Sequence, residues 1–126
     1  MKSLTNEMKI AAITFRLHAP WVHSLKEKRM IVKSLIAQLQ NKFHVSVAEI
    51  DEQDTHQIIV IGVAAIVPHN AMADSLMEEI SLFMEENTEA EIIDEEREIR
   101  YVEKEHKQVY IADPPAQTGG DWHFPG

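Results

Sequence analysis

Cysteine is absent from the 126-residue chain, which removes disulfide frameworks, zinc–thiolate sites, iron–sulfur clusters and thiol catalysis together. Glycine is scarce, with four residues in all, and neither a Gly-rich phosphate loop nor a Gly-x-Ser-x-Gly nucleophile elbow occurs. Seven histidines are present, yet no two have the His-x-x-x-His spacing that sets a pair of metal ligands on one helix face. No cofactor or metal is therefore expected. The longest apolar run, Ile58 to Pro68, is far shorter than the roughly 20 residues of a membrane-spanning helix. No signal-peptide core follows Met1, and Glu7 interrupts the approach to the first apolar stretch, so a cytoplasmic protein without a membrane partner is expected. What remains is globular: 44% hydrophobic and 26% charged residues, in a length suited to one domain that needs no covalent staple.

The formal charge of −9 argues, as an average, against a polyanionic partner and gives no expectation of DNA binding. The average conceals an uneven distribution. Residues 1–69 hold eight Lys and Arg against six Asp and Glu, whereas residues 70–126 hold four against fifteen. Within the first half, residues 16–42 carry Arg16, Lys26, Lys28, Arg29, Lys33 and Lys42 against Glu27 alone. The chain is bipolar, with one basic patch in an acidic molecule.

Met8 to His18 alternates with the period of a half-buried strand, Ala11, Ile13, Phe15 and Leu17 on one face and Ile10, Ala12, Thr14, Arg16 and His18 on the other. Pro20 ends the strand or turns the chain. Ser24-Leu25-Lys26-Glu27 reads as a capping box, the Ser24 hydroxyl accepting from the third helical N–H and Glu27 reaching back to the cap. Leu25, Val32, Leu35, Ile36, Leu39 and Phe43 mark the apolar side of an amphipathic helix of about five turns. Val45 to Ile50 and Ile58 to Val67 are expected to pair as an antiparallel hairpin across the polar connection Asp51 to His56. Asn70 is the expected cap of a second helix, whose Ala73, Leu76, Met77, Ile80, Phe83 and Met84 are helically spaced and which fades near Asn87. A last strand lies within Ala90 to Val102, with the charge density of a sheet edge.

The order β-α-β-β-α-β predicts an α+β, ferredoxin-like split β-α-β domain over residues 8–102, an antiparallel four-stranded sheet with two helices on one face. From Glu103 to Gly126 the polar, Pro- and Gly-punctuated composition is that of a flexible C-terminal tail. Trp122 and Phe124 within it are either a short binding motif or incidental. The third strand is apolar on both faces, where a sheet covered on one side should alternate. Either a small apolar strip is exposed, or the open sheet face holds a homo-oligomer together.

Two stretches resemble a known family. Pro20 to Arg29, read as Pro-Trp-Val-His-Ser-Leu-Lys-Glu-Lys-Arg, is similar to the opening helix signature of the YlxP-like family, small bacterial proteins of unassigned function. Val45 to Asp51, read as Val-Ser-Val-Ala-Glu-Ile-Asp, is similar to its second block, continued by Gln53-Asp54, His56-Gln57 and Ile61-Gly62-Val63-Ala64. The resemblance extends over about residues 8–102 and implies a ferredoxin-like fold and no established reaction. It also implies a genomic setting beside factors of transcription termination, translation initiation and ribosome maturation, which points to RNA without supplying a mechanism.

The basic cluster is the first candidate site. Lys26, Lys28 and Arg29 lie in the first turns of a helix, where the macrodipole disfavours cations. Breaches of a local rule are expected at functional positions, and the N–H groups of a helix start favour anions. With Arg16, His23 and Lys33, these residues form a candidate site for phosphate, RNA or a ribosomal particle; the bland alternative is the solvated face of an amphipathic helix. Bases are not expected to stack on the sheet, since the third strand has no aromatic residue and Phe15 is in phase with the core.

The acidic hairpin is the second. Glu49 and Asp51 share a strand phase, and Asp54, His56 and Gln57 follow, a set able to hold a divalent cation or small molecule, or to act as acid and base. Such residues also serve simply as turn formers. No nucleophile–base constellation is legible, so an enzyme is not expected. Trp21 is expected as a plug at the edge of the core beneath the first loop, with anchoring of a partner as the alternative, and Gly62 as a point of close backbone approach.

Overall fold

Alternating and helical periodicities settle into six elements in a computed structural model that describes residues 8–102. These are β1 (Met8–His18), α1 (Leu25–Lys42), β2 (Ser46–Asp51), β3 (Ile58–Val67), α2 (Asn70–Asn87) and β4 (Glu91–Val102). The expectations for residues 103–126, Trp122 and Phe124 included, lie outside the described residues. The strands form one sheet in the order β2-β3-β1-β4, with each neighbouring pair antiparallel. This is the ferredoxin-like split β-α-β: each helix carries the chain past one strand, so β3 enters between β1 and β2, and β1 lies between β3 and β4.

The helix side of the sheet is the core. Ala11, Ile13, Phe15 and Leu17 of β1 join Ile59, Ile61 and Val63 of β3, Val32, Leu35 and Leu39 of α1, and Ala73, Met77, Ile80 and Met84 of α2. Phe15 is wholly enclosed, so truncation to Ala there costs about 3–5 kcal/mol. Phe43, which ends α1, meets Phe83 of α2 edge-to-face with ring centroids 5.6 Å apart. Between α2 and β4 the seam is polar. Buried Ser81 donates from Oγ to Glu95 Oε1 at 2.5 Å, and Arg97 bridges Glu95 at 2.7 Å and Glu78 at 3.1 Å. Those bonds, to Glu95 first, hold the Arg97 guanidinium above its ordinary pKa.

Both helix starts depart in detail from the sequence reading. Ser24 caps α1 by accepting from Glu27 N at 3.1 Å, but the Glu27 carboxylate accepts from His23 N at 3.3 Å and so reaches one residue beyond the cap. Asn70 does not cap α2. The cap is His69, whose Nδ1 accepts from Met72 N at 3.2 Å, while Asn70 begins the helix and donates from Nδ2 to the Tyr101 hydroxyl. An imidazole nitrogen lacking its proton performs the task of a capping oxygen here.

β2 runs one residue later than expected, and a bulge near its end changes which way its side chains face. Glu49 is registered with Ile61, yet Asp51 is registered with Val60, the neighbour on the opposite phase of β3. On the open face Ile50 lies over Gly62, where a Cβ would come within 3.2 Å of Ile50 Cδ1 and Cγ2. The close approach at Gly62 is therefore made by a side chain. The apolar second face of β3 is uneven: Val60 is buried, Gly62 and Ala64 are half-buried, and Ile66 is 71% exposed. Among the described residues, no helix is long and apolar enough to cross a membrane.

Candidate nucleic-acid interface

Basic residues and hairpin acids that the sequence divides into two candidate sites meet, in part, as one structure. Lys28 occupies the core phase of α1, since 28, 32, 35 and 39 recur at four, three and four residues. Its side chain is 2% exposed. The ammonium emerges beneath the β2–β3 connection, donating to the carbonyls of Glu52 and Thr55 at 2.5 Å each and facing Glu49 Oε2 at 2.9 Å. That carboxylate oxygen is buried and has no hydrogen-bond partner of acceptable angle, so it is held by charge at contact distance. Arg16 reaches the same connection from β1. Its register partner Val60 stands between it and Asp51, so the side chain spans β3 to place Nη2 3.0 Å from Glu52 Oε2. Glu52 itself adopts the left-handed region at φ 54° and also accepts from Thr55 Oγ1.

The consequence for the candidate sites is a redistribution. Lys28 presents no charge to solvent, because its proton donors are directed at protein acceptors. Arg16 is half-exposed and engaged by Glu52. In the hairpin, the shared phase expected of Glu49 and Asp51 is undone by the bulge, which turns them to opposite faces of the sheet. Asp51 accepts from Glu52 N, and Gln57 clamps the β1–α1 connection by donating to the carbonyls of Pro20 and Val22 at 3.0 and 3.3 Å. Asp54 and His56 are exposed at the hairpin tip. Among the described residues, no three His, Asp or Glu side chains are placed together to hold a metal ion.

What stays outward is the other side of α1. Lys26, Arg29 and Lys33 are exposed, lie three and four residues apart, and make no ion pair among the described residues. His23 is exposed at the same end of the helix. Met30, 65% exposed, flanks this stripe on the side away from Arg29. It also lines a groove of about 400 Å³ running between α1 and the α2–β4 connection, with Trp21, Ser34, Gln38, Asn87 and Glu89. Trp21 is thus no plug: it is 42% exposed and forms a wall of that groove. Sequence reasoning passed over Met30, although its position among three cations was visible, and Glu52, for which composition carries no signal.

Residues 10–97 match the model of a family described as a protein of unknown function, DUF503. The uncharacterized protein YlxP of Bacillus subtilis (strain 168) is 37% identical over 68 residues, a stretch covering 54% of this chain and 74% of that relative.

Proposed function

The chain belongs to the DUF503 family, and we propose that it is a non-catalytic cytoplasmic accessory protein that docks on RNA or a ribosomal particle through α1. The observation that carries this reading is the outward stripe Lys26, Arg29 and Lys33, the only cluster of cations among the described residues without acidic partners, with His23 beside it. Charges of this kind fit phosphates, whose contacts position a protein on RNA without reading sequence. The acidic remainder, −11 over residues 70–126, disfavours tight binding to naked RNA and favours a patch seated on a larger particle. The neighbourhood in which the YlxP-like family is encoded supports the same class of partner. Co-sedimentation with purified ribosomal particles tests it: the wild type travels with the particle at low salt, and Lys26→Gln/Arg29→Gln/Lys33→Gln does not. Equal co-sedimentation of both defeats the proposal.

A second reading is supported by Ile50 and Ile66, both large and exposed on the open sheet face. It places a second copy of the chain there. A monomeric mass for the wild type at tens of micromolar in sedimentation equilibrium contradicts it.

A further inference from the structure

The groove beside the cation stripe combines three properties. One wall is the exposed indole of Trp21, and the floor is apolar, with Met30, Ile31 and Leu35. Its rim is polar: Ser34 accepts from Gln38 Nε2 at 2.9 Å, Asn87 donates to the Phe83 carbonyl at 2.9 Å, and Glu89 stands opposite α1. The third property is position. Met30 lines the groove and, by helical spacing, flanks Lys26 and Lys33, so a strand leaving the groove over Met30 meets Lys26 and Lys33 first and Arg29 beyond them. Lys26 and Lys33 are separated by two helical turns, about 10 Å of axial rise, enough to follow more than one phosphate of a strand.

From these features we infer that the groove takes an unpaired nucleobase of a single-stranded RNA segment, stacked on Trp21, while the neighbouring phosphates lie along Lys26, Arg29 and Lys33. The inference rests on the RNA reading above and adds to it the strandedness of the ligand and the residue that detects it. A base is flat, apolar on its faces and polar on its rim, which is the character of the groove. A base-paired strand keeps its faces within the stack and offers none to Trp21. The open sheet face, which has no Phe, Tyr or Trp among the described residues, is not required: stacking moves to the loop before α1. Glu89 is the one anionic lining residue, and it suits the N–H edge of a base while opposing a phosphate, which sets the orientation with the backbone toward α1.

The chain has two tryptophans, so Trp122→Phe makes Trp21 the sole tryptophan, excited apart from the two tyrosines at the red edge of absorption, in an otherwise full-length protein. Titration at low salt uses three probes: an oligouridylate of about eight nucleotides, within the usual site sizes of single-strand binders, the same strand annealed to its complement, and inorganic polyphosphate. The expected result is quenching of Trp21 by the single strand, with binding but no quenching by polyphosphate. Trp21→Ala is expected to weaken the single strand roughly 5- to 150-fold, the equivalent of the ~1–3 kcal/mol that one stacked base contributes, and to leave polyphosphate unchanged. Trp21→Leu, which keeps the groove filled, is expected to behave as Trp21→Ala, and an unchanged urea midpoint certifies either variant as folded. Single-strand binding without quenching, equal affinity for the duplex, or full affinity in Trp21→Leu overturns the stacking inference while the RNA reading stands. Failure of the single strand to bind the wild type at low salt also overturns the stacking inference, whereas the docking reading falls separately, on equal co-sedimentation of the wild type and Lys26→Gln/Arg29→Gln/Lys33→Gln with ribosomal particles.

Discussion

Replacing Lys28 by methionine removes an ammonium while keeping most of the side chain's length. In the native protein that ammonium satisfies the carbonyls of Glu52 and Thr55 and neutralises Glu49, all beneath the β2–β3 connection. Without it, Glu49 retains a carboxylate oxygen cut off from water, and two carbonyls lose their donor. Breaking a buried pair by removing one partner costs about 3–5 kcal/mol. A domain of this size is stabilised by only about 5–15 kcal/mol in total, so the loss is a large fraction of it. Urea unfolding followed by far-ultraviolet circular dichroism measures the change, with a constant slope confirming that stability alone has moved. Two controls fix the interpretation. Lys26→Met, on the outward side of α1, is expected within about 0.5 kcal/mol of wild type. The double variant Lys28→Met/Glu49→Leu removes both charges and is expected to recover at least half the loss, because a buried pair replaced by apolar groups is often neutral. If Lys28→Met is as mild as Lys26→Met, or the double variant is no better than the single, the buried-pair reasoning is refuted.

Two further substitutions probe the same connection and the far edge of the sheet. Glu52→Gly and Glu52→Ala both lose the contacts to Arg16 and Thr55, but only glycine relieves the positive φ; we expect Glu52→Gly to be the more stable by about 0.5–1 kcal/mol once glycine's unfolded-state entropy is set against the strain. Ser81→Ala takes one donor from Glu95 while leaving Arg97 in place, and a loss of about 1.5 kcal/mol is expected from chemical denaturation.

The fold was legible because its determinants are periodic. The alternation in β1 and the spacing in α2 identify the buried faces directly, and the bias toward charge in β4 agrees with its place at the edge. The site was legible only in composition. Lys28 stands in the helical phase of Val32, Leu35 and Leu39, so its burial could have been read, but residue type outweighed position. Two features left no such trace. The bulge that separates Glu49 from Asp51 depends on pairing with β3, and the left-handed backbone of Glu52 is unusual for its residue type. Both arise from tertiary contacts: the loop is bent around the Lys28 ammonium, and of the acids that look like a cation site in the sequence Glu49 already faces that ammonium, while the neighbouring Glu52 faces Arg16. The basic patch is correspondingly smaller than its composition indicates and points in one direction.

Binding driven by phosphate contacts carries its own count. Each neutralised phosphate contributes about 0.7–0.9 to the slope of log K against log salt, so three cations account for a slope near −2 to −3. The salt dependence of association with ribosomal particles, measured for the wild type and for Lys26→Gln/Arg29→Gln/Lys33→Gln, is the most direct test of the docking face. A wild-type slope near −2 or steeper that flattens by about 2 in the triple variant is the predicted result. Equal slopes for the two proteins would contradict the assignment of α1 as the surface that meets RNA.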